Sequence, residues 1–437
     1  MNAKLSKFGE RFSRETGTAQ LMGDLGRAIA EDPTALLLGG GNPGTVPEMV
    51  TLFQQRLHEI GDSPDDIQRM MGNYAHPRGE LGFRKSLAGL LSRKYGWPLT
   101  ADNIALTSGS QTGFFQLFNM LAGDFADGSR RRILLPMTPE YAGYNDIGLI
   151  DDLYVAHRPE IEERPGGFFK YRVNFDSLSI DDDIAAVCVS RPTNPTGNII
   201  TDDELHQLDA MAREAGVPFV IDNAYGVPFP RIIYSPATPL WNENVILCMS
   251  LSKLGLPGIR TGIVIAREEL IEALGNMTAV QSLTIPSTGA VFIQPWVESG
   301  EIEDISRDVI QSFYQRKMQF ACDVVRREFE GVPCKIHSPE GAFFLWLWFP
   351  GLPITSEDLY LRLKARNVLV MSGHRFFPGL REPWRHVDEC LRLSYAQEDR
   401  VVEEGMRIIA DEVRGLYSGR AGVIGTESVS AGGRIAV

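Results

Sequence analysis

The sequence predicts an α/β protein with a mostly parallel central sheet covered by helices and with a smaller α+β domain after it. Two observations lead to this fold class. From about residue 100, short apolar runs alternate with helical segments, which is the pattern of a parallel sheet with helices on both faces. After about residue 310 this alternation stops, and a long helix is followed by a mixture of strand-like and helix-like segments. The 437 residues are long enough for two such domains.

Five buried strands are predicted in the first domain, and each is followed by a cluster of polar or glycine residues. The carboxyl ends of parallel strands meet at one edge of a sheet, and ligands gather there. We therefore expect the five clusters to lie close together in space. The helix after the third strand begins at TDDEL, with Thr201 as its N-cap. The predicted strands are 104–107, 132–136, 184–190, 217–221 and 244–249.

The second domain is predicted from a long helix over about 298–330 and from the shorter elements that follow it. These are the strand sequence GAFFLWLWF, the helix-like SEDLYLRLKAR, the strands VLVMSG and LRLSYA, and a final helix near 397–416. The resulting division is an N-terminal arm that joins the small domain in part (1–45), a large domain (46–310), a small domain (311–416) and a tail (417–437). The tail is rich in glycine and serine and is expected to be disordered.

Composition excludes several classes of function. A net charge of −13 and a pI near 5.2 argue against a nucleic-acid surface. No apolar run approaches the length that crosses a bilayer, and the N-terminus has no apolar signal-peptide core. Five scattered cysteines without a CxxC pair indicate reduced thiols in a cytoplasm. The seven histidines form no HxH or HxxxH pair, which argues against a metal enzyme. No metal ligand is therefore assigned.

Polar clusters at the strand ends contain the residue types of a cofactor site. SGSQTG at 108–113 links a strand to a helix, where free backbone N–H groups attract an anion such as phosphate. NPTG at 194–197 is a turn that shapes the chain or presents an amide to a ligand. Asp222 directly follows an apolar strand, either as a helix cap or as the partner of a cation or a protonated ring nitrogen. Lys253, in SLSK, follows another apolar strand. Each cluster alone also fits an ordinary turn, cap or solvated lysine.

The combination of these clusters resembles the class I/II aminotransferase family, whose members are fold type I pyridoxal-phosphate enzymes. The resemblance covers about residues 30–415. The family pattern of hydroxyl, any residue, hydroxyl, lysine and then Gly-x-Arg-x-Gly is met by SLSK and GIRTG. NPTG, DNAYG and RLSYA match in the same order along the chain. The resemblance implies the fold of that family, with pyridoxal 5'-phosphate as cofactor.

The resemblance implies a role for each residue around the cofactor ring. Lys253 would form the Schiff base with the cofactor and later move the Cα proton, which requires a lysine that loses its charge near neutral pH. Asp222 would keep the pyridine nitrogen protonated. Tyr225 and Asn194 would hydrogen-bond the phenolic oxygen of the ring. Tyr141, in PEYAGY, occupies the position where the family stacks an aromatic side chain on the ring.

The phosphate and the substrate carboxylate are assigned in the same way. The substrate α-carboxylate would bind Arg392, and substrate binding would close the small domain over the site. Gly41 would line the substrate pocket, where Asn194 also contributes. Tyr74, in NYAHPRG, resembles the tyrosine that reaches the phosphate of the neighbouring subunit, so a homodimer with shared sites is expected. The residues expected to hold the phosphate are Ser110, Gln111, Ser250, Ser252 and Arg260.

Within the family, LLLGGGNP, MGNYAHPRGELGFR and GAFFLWLWFPGLPITS resemble the branch that couples valine and pyruvate. The stretch 282–290, where related aspartate enzymes place a cation for the distal carboxylate, contains no arginine. Three other cations, Arg231, Arg375 and His76, are each capable of reaching an acidic substrate and would then change this expectation. We therefore expect ping-pong transamination of a small or branched neutral amino acid with pyruvate, in which valine gives 3-methyl-2-oxobutanoate and alanine forms.

Other enzymes of the same fold stay open as alternatives. They are a broad-specificity aminotransferase of the aromatic or aminoadipate type and a C–S β-lyase, which would use the same cofactor residues. A transcription regulator with an aminotransferase-like effector domain is a further class. It needs a basic DNA-binding segment before residue 30, and the short N-terminus is expected to have no room for one.

Overall fold

The computed structural model describes residues 4–14, 23, 26 and 34–419. Most of the predicted N-terminal arm before residue 34, and the predicted tail after residue 419, lie outside these residues. No helix in the described part of the chain is long and apolar enough to span a bilayer.

Sixteen strands form within the described residues. They are β1 Leu36–Leu37, β2 Ile104–Thr107, β3 Gly123–Asp124, β4 Arg130–Leu135, β5 Tyr154–Ala156, β6 Glu160–Arg164, β7 Phe168–Arg172, β8 Ile184–Ser190, β9 Phe219–Asp222, β10 Val245–Ser250, β11 Gly262–Ile265, β12 Lys335–His337, β13 Phe344–Trp348, β14 Val368–Leu369, β15 Met371–Ser372 and β16 Cys390–Ser394.

The same residues form twelve α-helices, two π-helical segments and several short 3₁₀ turns. The α-helices are α1 Lys7–Phe12, α2 Pro47–Asp62, α3 Pro64–Ile67, α4 Leu81–Tyr95, α5 Ser110–Leu121, α6 Asp202–Glu214, α7 Glu268–Ser282, α8 Thr288–Ser299, α9 Glu301–Asp304, α10 Ser312–Glu328, α11 Ser356–Ala365 and α12 Asp399–Tyr417. The π-helical segments are Gln68–Gly72 and Ile305–Gln311.

The central sheet has eight strands, with seven in the order β2-β11-β10-β9-β8-β4-β3 and β5 paired with β4. Strands β10, β9, β8 and β4 are parallel neighbours. Strand β11 is antiparallel to both β10 and β2, so β2 runs in the same direction as the other four. All five predicted strands are present, and their carboxyl ends lie at one edge as expected. The sequence reasoning missed β11, which is a four-residue strand directly after the GIR turn.

The central strands are buried on both faces, so each face of the sheet must be covered by helices, and strands and helices therefore alternate along the chain. All seven residues of β8 are buried, and so are all residues of β9, β10 and β11. Helix α6 begins with a capping box, in which Thr201 and Glu204 satisfy each other's backbone N–H groups. Helices on both faces then remove the apolar strand residues from water.

The second sheet has six strands in the order β15-β16-β13-β12-β7-β6. Strands β6 and β7 come from residues 160–172, between two strands of the central sheet. Pro165–Gly167 turns the chain between them, and Gly166 has a φ of 77° that favours glycine. The chain therefore leaves the central sheet, adds a hairpin to the second sheet and returns.

The long helix predicted over 298–330 is interrupted. Gly300, with a φ of 88°, ends α8 and precedes α9. A π-helical segment, Ile305–Gln311, then joins α9 to α10. A left-handed glycine cannot continue a right-handed helix, so the long helical stretch begins at Glu301 and not at residue 298.

Candidate active site

A cavity of about 210 Å³ lies at the carboxyl ends of the central strands. Ser190, Asp222 and Ser250 are the last residues of β8, β9 and β10, and all three line it. The predicted site residues meet here, with the exception of Tyr74. The described residues that line the cavity are Gly41, Ser110, Gln111, Tyr141, Ala142, Gly143, Ser190, Pro192, Asn194, Asp222, Ala224, Tyr225, Ser250, Ser252, Lys253, Arg260, Met371 and Arg392.

Helix α5 presents an uncapped N-terminus to this cavity. Its N-cap residue, Gly109, has a φ of 86° and offers no side chain to the first backbone N–H groups. Ser110 and Gln111, the first two residues of the helix, line the cavity. The partial positive charge of a helix N-terminus favours an anion at this position.

The guanidinium of Arg260 lies directly against Gly109. A Cβ atom on Gly109 would come within 2.1 Å of Arg260 Nη2 and would push the guanidinium aside, and the φ of 86° strains any residue that has a Cβ. Arg260 has a left-handed backbone with a φ of 48°. The backbone N–H of Ser252 donates to Ser250 Oγ at 3.1 Å, which fixes the turn that carries both hydroxyls. Two hydroxyls, one guanidinium and free N–H groups form a donor set suited to a phosphate dianion.

Lys253 is half-buried next to this donor set. Its Nζ donates to the carbonyl oxygen of Gly41 at 2.7 Å. The same atom lies 5.4 Å from the ring centroid of Tyr225 and 5.3 Å from that of Phe343. Loss of hydration, and then the positive charge of Arg392, lower the pKa of Lys253 to about 8. A lysine with this pKa is neutral in about one tenth of the molecules at pH 7, far more often than an ordinary lysine.

Asp222 is buried and accepts two hydrogen bonds. Tyr144 donates from its phenolic oxygen to Oδ2 at 2.9 Å, and the backbone N–H of Ala224 donates to Oδ1 at 3.1 Å. Burial raises the pKa of Asp222 to about 6, while these two donors oppose the rise. Asp222 is therefore an anion at neutral pH that would gain from a cationic partner in the cavity.

Arg392 lines the cavity from β16, a strand of the six-stranded sheet. Its Nη1 donates to Asn194 Oδ1 at 2.8 Å, and its Nη2 donates to the Gly39 carbonyl oxygen at 2.5 Å. The guanidinium carbon lies 4.2 Å from the ring centroid of Phe344 and 5.2 Å from that of Phe376. Its Nε is buried and has no hydrogen-bond partner. Burial lowers the pKa of Arg392 to about 10, so it stays charged and still has an unused donor.

Tyr141 packs against a glycine in the same loop. A Cβ on Gly143 would come within 2.4 Å of the Tyr141 ring, so the ring needs a glycine at that position. Gln111 Nε2 donates to the Gly143 carbonyl oxygen at 2.8 Å, and the Gln111 Oε1 is buried without a partner. The loop thus holds the aromatic ring at the cavity wall and leaves one polar atom for a ligand.

Tyr74 is 85% exposed and does not line the cavity. Its predicted role, contact with the phosphate in a neighbouring subunit, stays a prediction. The three other cations named from the sequence, Arg231, Arg375 and His76, are absent from the cavity lining within the described residues. Arg231 Nε donates instead to Gln311 Oε1 at 3.1 Å.

The sequence reasoning missed several residues around the site. Tyr144 lies in the same PEYAGY motif as Tyr141, and nothing in the motif indicated that this second tyrosine would bind Asp222. Glu140, the residue before Tyr141, is buried and accepts hydrogen bonds from the backbone N–H and the hydroxyl of Ser190. No sequence motif pointed to Met371, because its position at the cavity depends on the pairing of its strand with β16.

The family profile described as Aminotransferase class I and II matches residues 35–409. The chain belongs to the class I and II aminotransferases. Its fold is that of the fold type I enzymes, as the sequence predicted, and it is an aminotransferase.

This aminotransferase is similar to curated and solved members of the family. It is 49% identical to the valine–pyruvate aminotransferase of Escherichia coli K12 over 94% of this chain and 99% of that one. The solved valine–pyruvate aminotransferase from Salmonella typhimurium LT2 is 46% identical, with a TM-score of 0.85 over 92% of this chain and all of that one. A solved protein from Psychrobacter arcticum 273-4 is 42% identical, with a TM-score of 0.93 over 95% of this chain and all of that one.

Proposed function

We propose that this aminotransferase transfers the amino group of valine to pyruvate, giving 3-methyl-2-oxobutanoate and alanine. The observation that supports this proposal most strongly is the likeness to two valine–pyruvate aminotransferases over nearly the full length of both chains. The cavity agrees with it. Among the described residues, the cations that line it are Lys253, Arg260 and Arg392, so none remains for a second substrate carboxylate.

Pyridoxal 5'-phosphate is the cofactor that we propose for the cavity. The donor set around the α5 N-terminus fits its phosphate, and a Cβ on Gly109 would remove that fit. Asp222, buried at the end of β9, fits a protonated ring nitrogen. Gln111 Oε1 and Arg392 Nε are buried polar atoms without partners, as expected of a site built around bound groups. The cofactor supplies an electron sink for the negative charge that forms at the substrate Cα.

In this proposal the side chains divide the work between binding and proton transfer. Arg392 binds the substrate α-carboxylate through charge-assisted hydrogen bonds, because its fork of donors matches two carboxylate oxygens. Asn194 orients that arginine through its Oδ1. Lys253 accepts the proton from the substrate Cα at its neutral Nζ and returns it to the product. The lowered pKa of Lys253 makes the neutral form available without a strong external base.

The direct test is a steady-state assay of the purified enzyme with added pyridoxal 5'-phosphate. Valine and pyruvate should give alanine with ping-pong kinetics, and ammonia should not accumulate. Aspartate or glutamate with 2-oxoglutarate should be much poorer pairs. If the dicarboxylate pairs were far better, the proposed substrate class would be wrong. Release of ammonia and pyruvate from a cysteine-type donor would instead favour the C–S β-lyase.

We also propose that two copies of the chain form a homodimer with shared sites. Four of the most exposed large side chains are Met71, Tyr74, Val280 and Leu283, at 74%, 85%, 90% and 68%. They fall in two short stretches of the chain, 71–74 and 280–283, which a second copy would cover. Sedimentation of the purified enzyme at low concentration tests this proposal, and a fully active monomer would contradict it.

The five cysteines are free thiols, which supports a reducing, cytoplasmic location.

A further inference from the structure

The chain changes partner between two short strands near the cavity. Strand β14 pairs with β1, and β15 pairs with β16. Val370 lies between them, and its carbonyl oxygen would come within 2.8 Å of a Cβ on Gly39, so the two backbones are in close contact. The first residue after this change of partner is Met371.

Strand register brings Met371 to the side of Arg392. The two residues are direct partners in the antiparallel pair of β15 and β16. Directly paired residues have their side chains on the same face of a sheet, with Cβ atoms about 5 Å apart. Met371 is buried and lines the cavity, as Arg392 does. The two side chains therefore start from neighbouring points on one face of the sheet, and both reach the cavity.

The division of the cavity between the two sheets indicates what this wall contacts. Among the described residues that line the cavity, only Met371 and Arg392 come from the six-stranded sheet. Most of the others follow strands of the central sheet, where the cofactor groups are assigned. In a bound amino acid the side chain and the carboxylate share one carbon atom. A substrate held by Arg392 therefore brings its side chain into reach of the neighbouring wall residue.

We propose that Met371 determines which substrate side chains this enzyme accepts, an inference that rests on the proposed function. Its thioether offers no charge and no strong hydrogen bond, so a substrate carboxylate here would be buried without a partner. Its unbranched side chain fills space in an adaptable way and makes dispersion contacts with small or branched apolar groups. Met371 limits the size of those groups because it closes the cavity on the side of the six-stranded sheet.

The test compares amino donors in the wild-type enzyme and in Met371→Ala. Alanine, valine, leucine and phenylalanine are assayed as donors, with a 2-oxo acid other than pyruvate as acceptor for the alanine reaction. Removing the thioether should raise the leucine-to-valine ratio of kcat/KM about tenfold, since one or two methylenes in an apolar pocket change selectivity by that order. The change should arise mainly in KM. Met371→Val, which suits a strand, should shift the ratio in the same direction by less.

Met211→Ala is the matched control, because Met211 is a partly buried methionine on α6 that does not line the cavity. It should leave the donor ratios unchanged. If Met371→Ala and Met371→Val lowered kcat/KM for all donors by the same factor, the assignment of Met371 would be overturned while the proposed function stood. A wild-type enzyme without activity on valine would overturn the proposed function. The ratios among alanine, leucine and phenylalanine would then still decide the role of Met371.

Discussion

Tyr144 donates a hydrogen bond of 2.9 Å to Oδ2 of Asp222, so a loop after β4 stabilises the charge of the last residue of β9. Burial raises the pKa of Asp222 to about 6, and this phenol is the strongest interaction that opposes the rise. The carboxylate would otherwise lose part of its charge near neutral pH. In the proposed site Tyr144 is therefore a positioning residue, which acts on Asp222 rather than on the cofactor ring.

Tyr144→Phe should raise the pKa of Asp222 further, because the carboxylate loses a donor to its charged form. For a rise of about one pKa unit we expect kcat to fall about threefold at pH 6.5 and to recover in part at higher pH, where Asp222 is again ionised. A plot of kcat against pH measures this change, because the fall of kcat on the acidic side should move to higher pH in the variant. Tyr154→Phe is the control, since its hydroxyl donates to the Tyr144 carbonyl oxygen at 2.8 Å and not to Asp222. Equal pH profiles for both variants would contradict the role of Tyr144.

Asp222→Asn should retain cofactor and lose at least about a hundredfold in kcat. The amide keeps the shape of the side chain but cannot hold a proton on the ring nitrogen, so the charge that forms at the substrate Cα is no longer stabilised. Cofactor content by absorbance and single-turnover rates with valine separate binding from chemistry. A near-normal rate would show that Asp222 does not act on the ring.

Lys253→Ala should abolish transamination while the protein still folds. Borohydride reduction of the wild-type enzyme should fix the cofactor to one peptide, the one that contains Lys253. Lys317→Ala serves as a control, because the mostly buried Lys317 pairs with the exposed Asp399 at 2.6 Å and does not line the cavity. Label found on a peptide without Lys253 would overturn the assignment.

Gly109→Ala should weaken cofactor binding about tenfold or more. A methyl group there would lie 2.1 Å from Arg260 Nη2, and the φ of 86° disfavours any residue with a Cβ. The guanidinium must then move away from the phosphate position. Gly258→Ala is the matched control, since a Cβ on Gly258 meets nothing within 4 Å. Equilibrium titration of the cofactor-free enzymes gives both dissociation constants, and equal values would contradict a phosphate site at Gly109.

Glu140→Gln should remove a pH dependence of stability. Burial raises the pKa of Glu140 to about 8 from a usual value near 4.5, so the folded protein keeps a proton that the unfolded chain loses. The stability that this provides is fully present below about pH 4.5 and is lost as the pH rises through 8, at up to about 1.4 kcal/mol per pH unit. Urea midpoints at pH 5.5, 6.5 and 7.5 measure it. The advantage of wild type over the variant should shrink with each step, and a constant difference would show that Glu140 is ionised when folded.

The sequence was sufficient to predict the meeting of most site residues, for a physical reason. Ser190, Asp222 and Ser250 end strands that run in one direction, and parallel strand ends share an edge whatever the length of the loops between them. Met371 and Arg392 are different, because their proximity comes from an antiparallel register between short strands. No local pattern encodes that register. The hairpin of β6 and β7 was missed for the same reason, since the strands to which it adds come from much later in the chain.

Arg392 is held between Phe344 and Phe376 and bonded to Asn194 and Gly39 before any substrate arrives. Ordering a free arginine side chain on binding costs about 0.5–1.5 kcal/mol in lost rotamer entropy. Here folding has already met that cost, so it does not recur at each catalytic cycle. In the proposed function both substrates bind in turn through this guanidinium, so both would benefit from its preorganisation. A small amino acid that offers few contacts of its own gains the most from it.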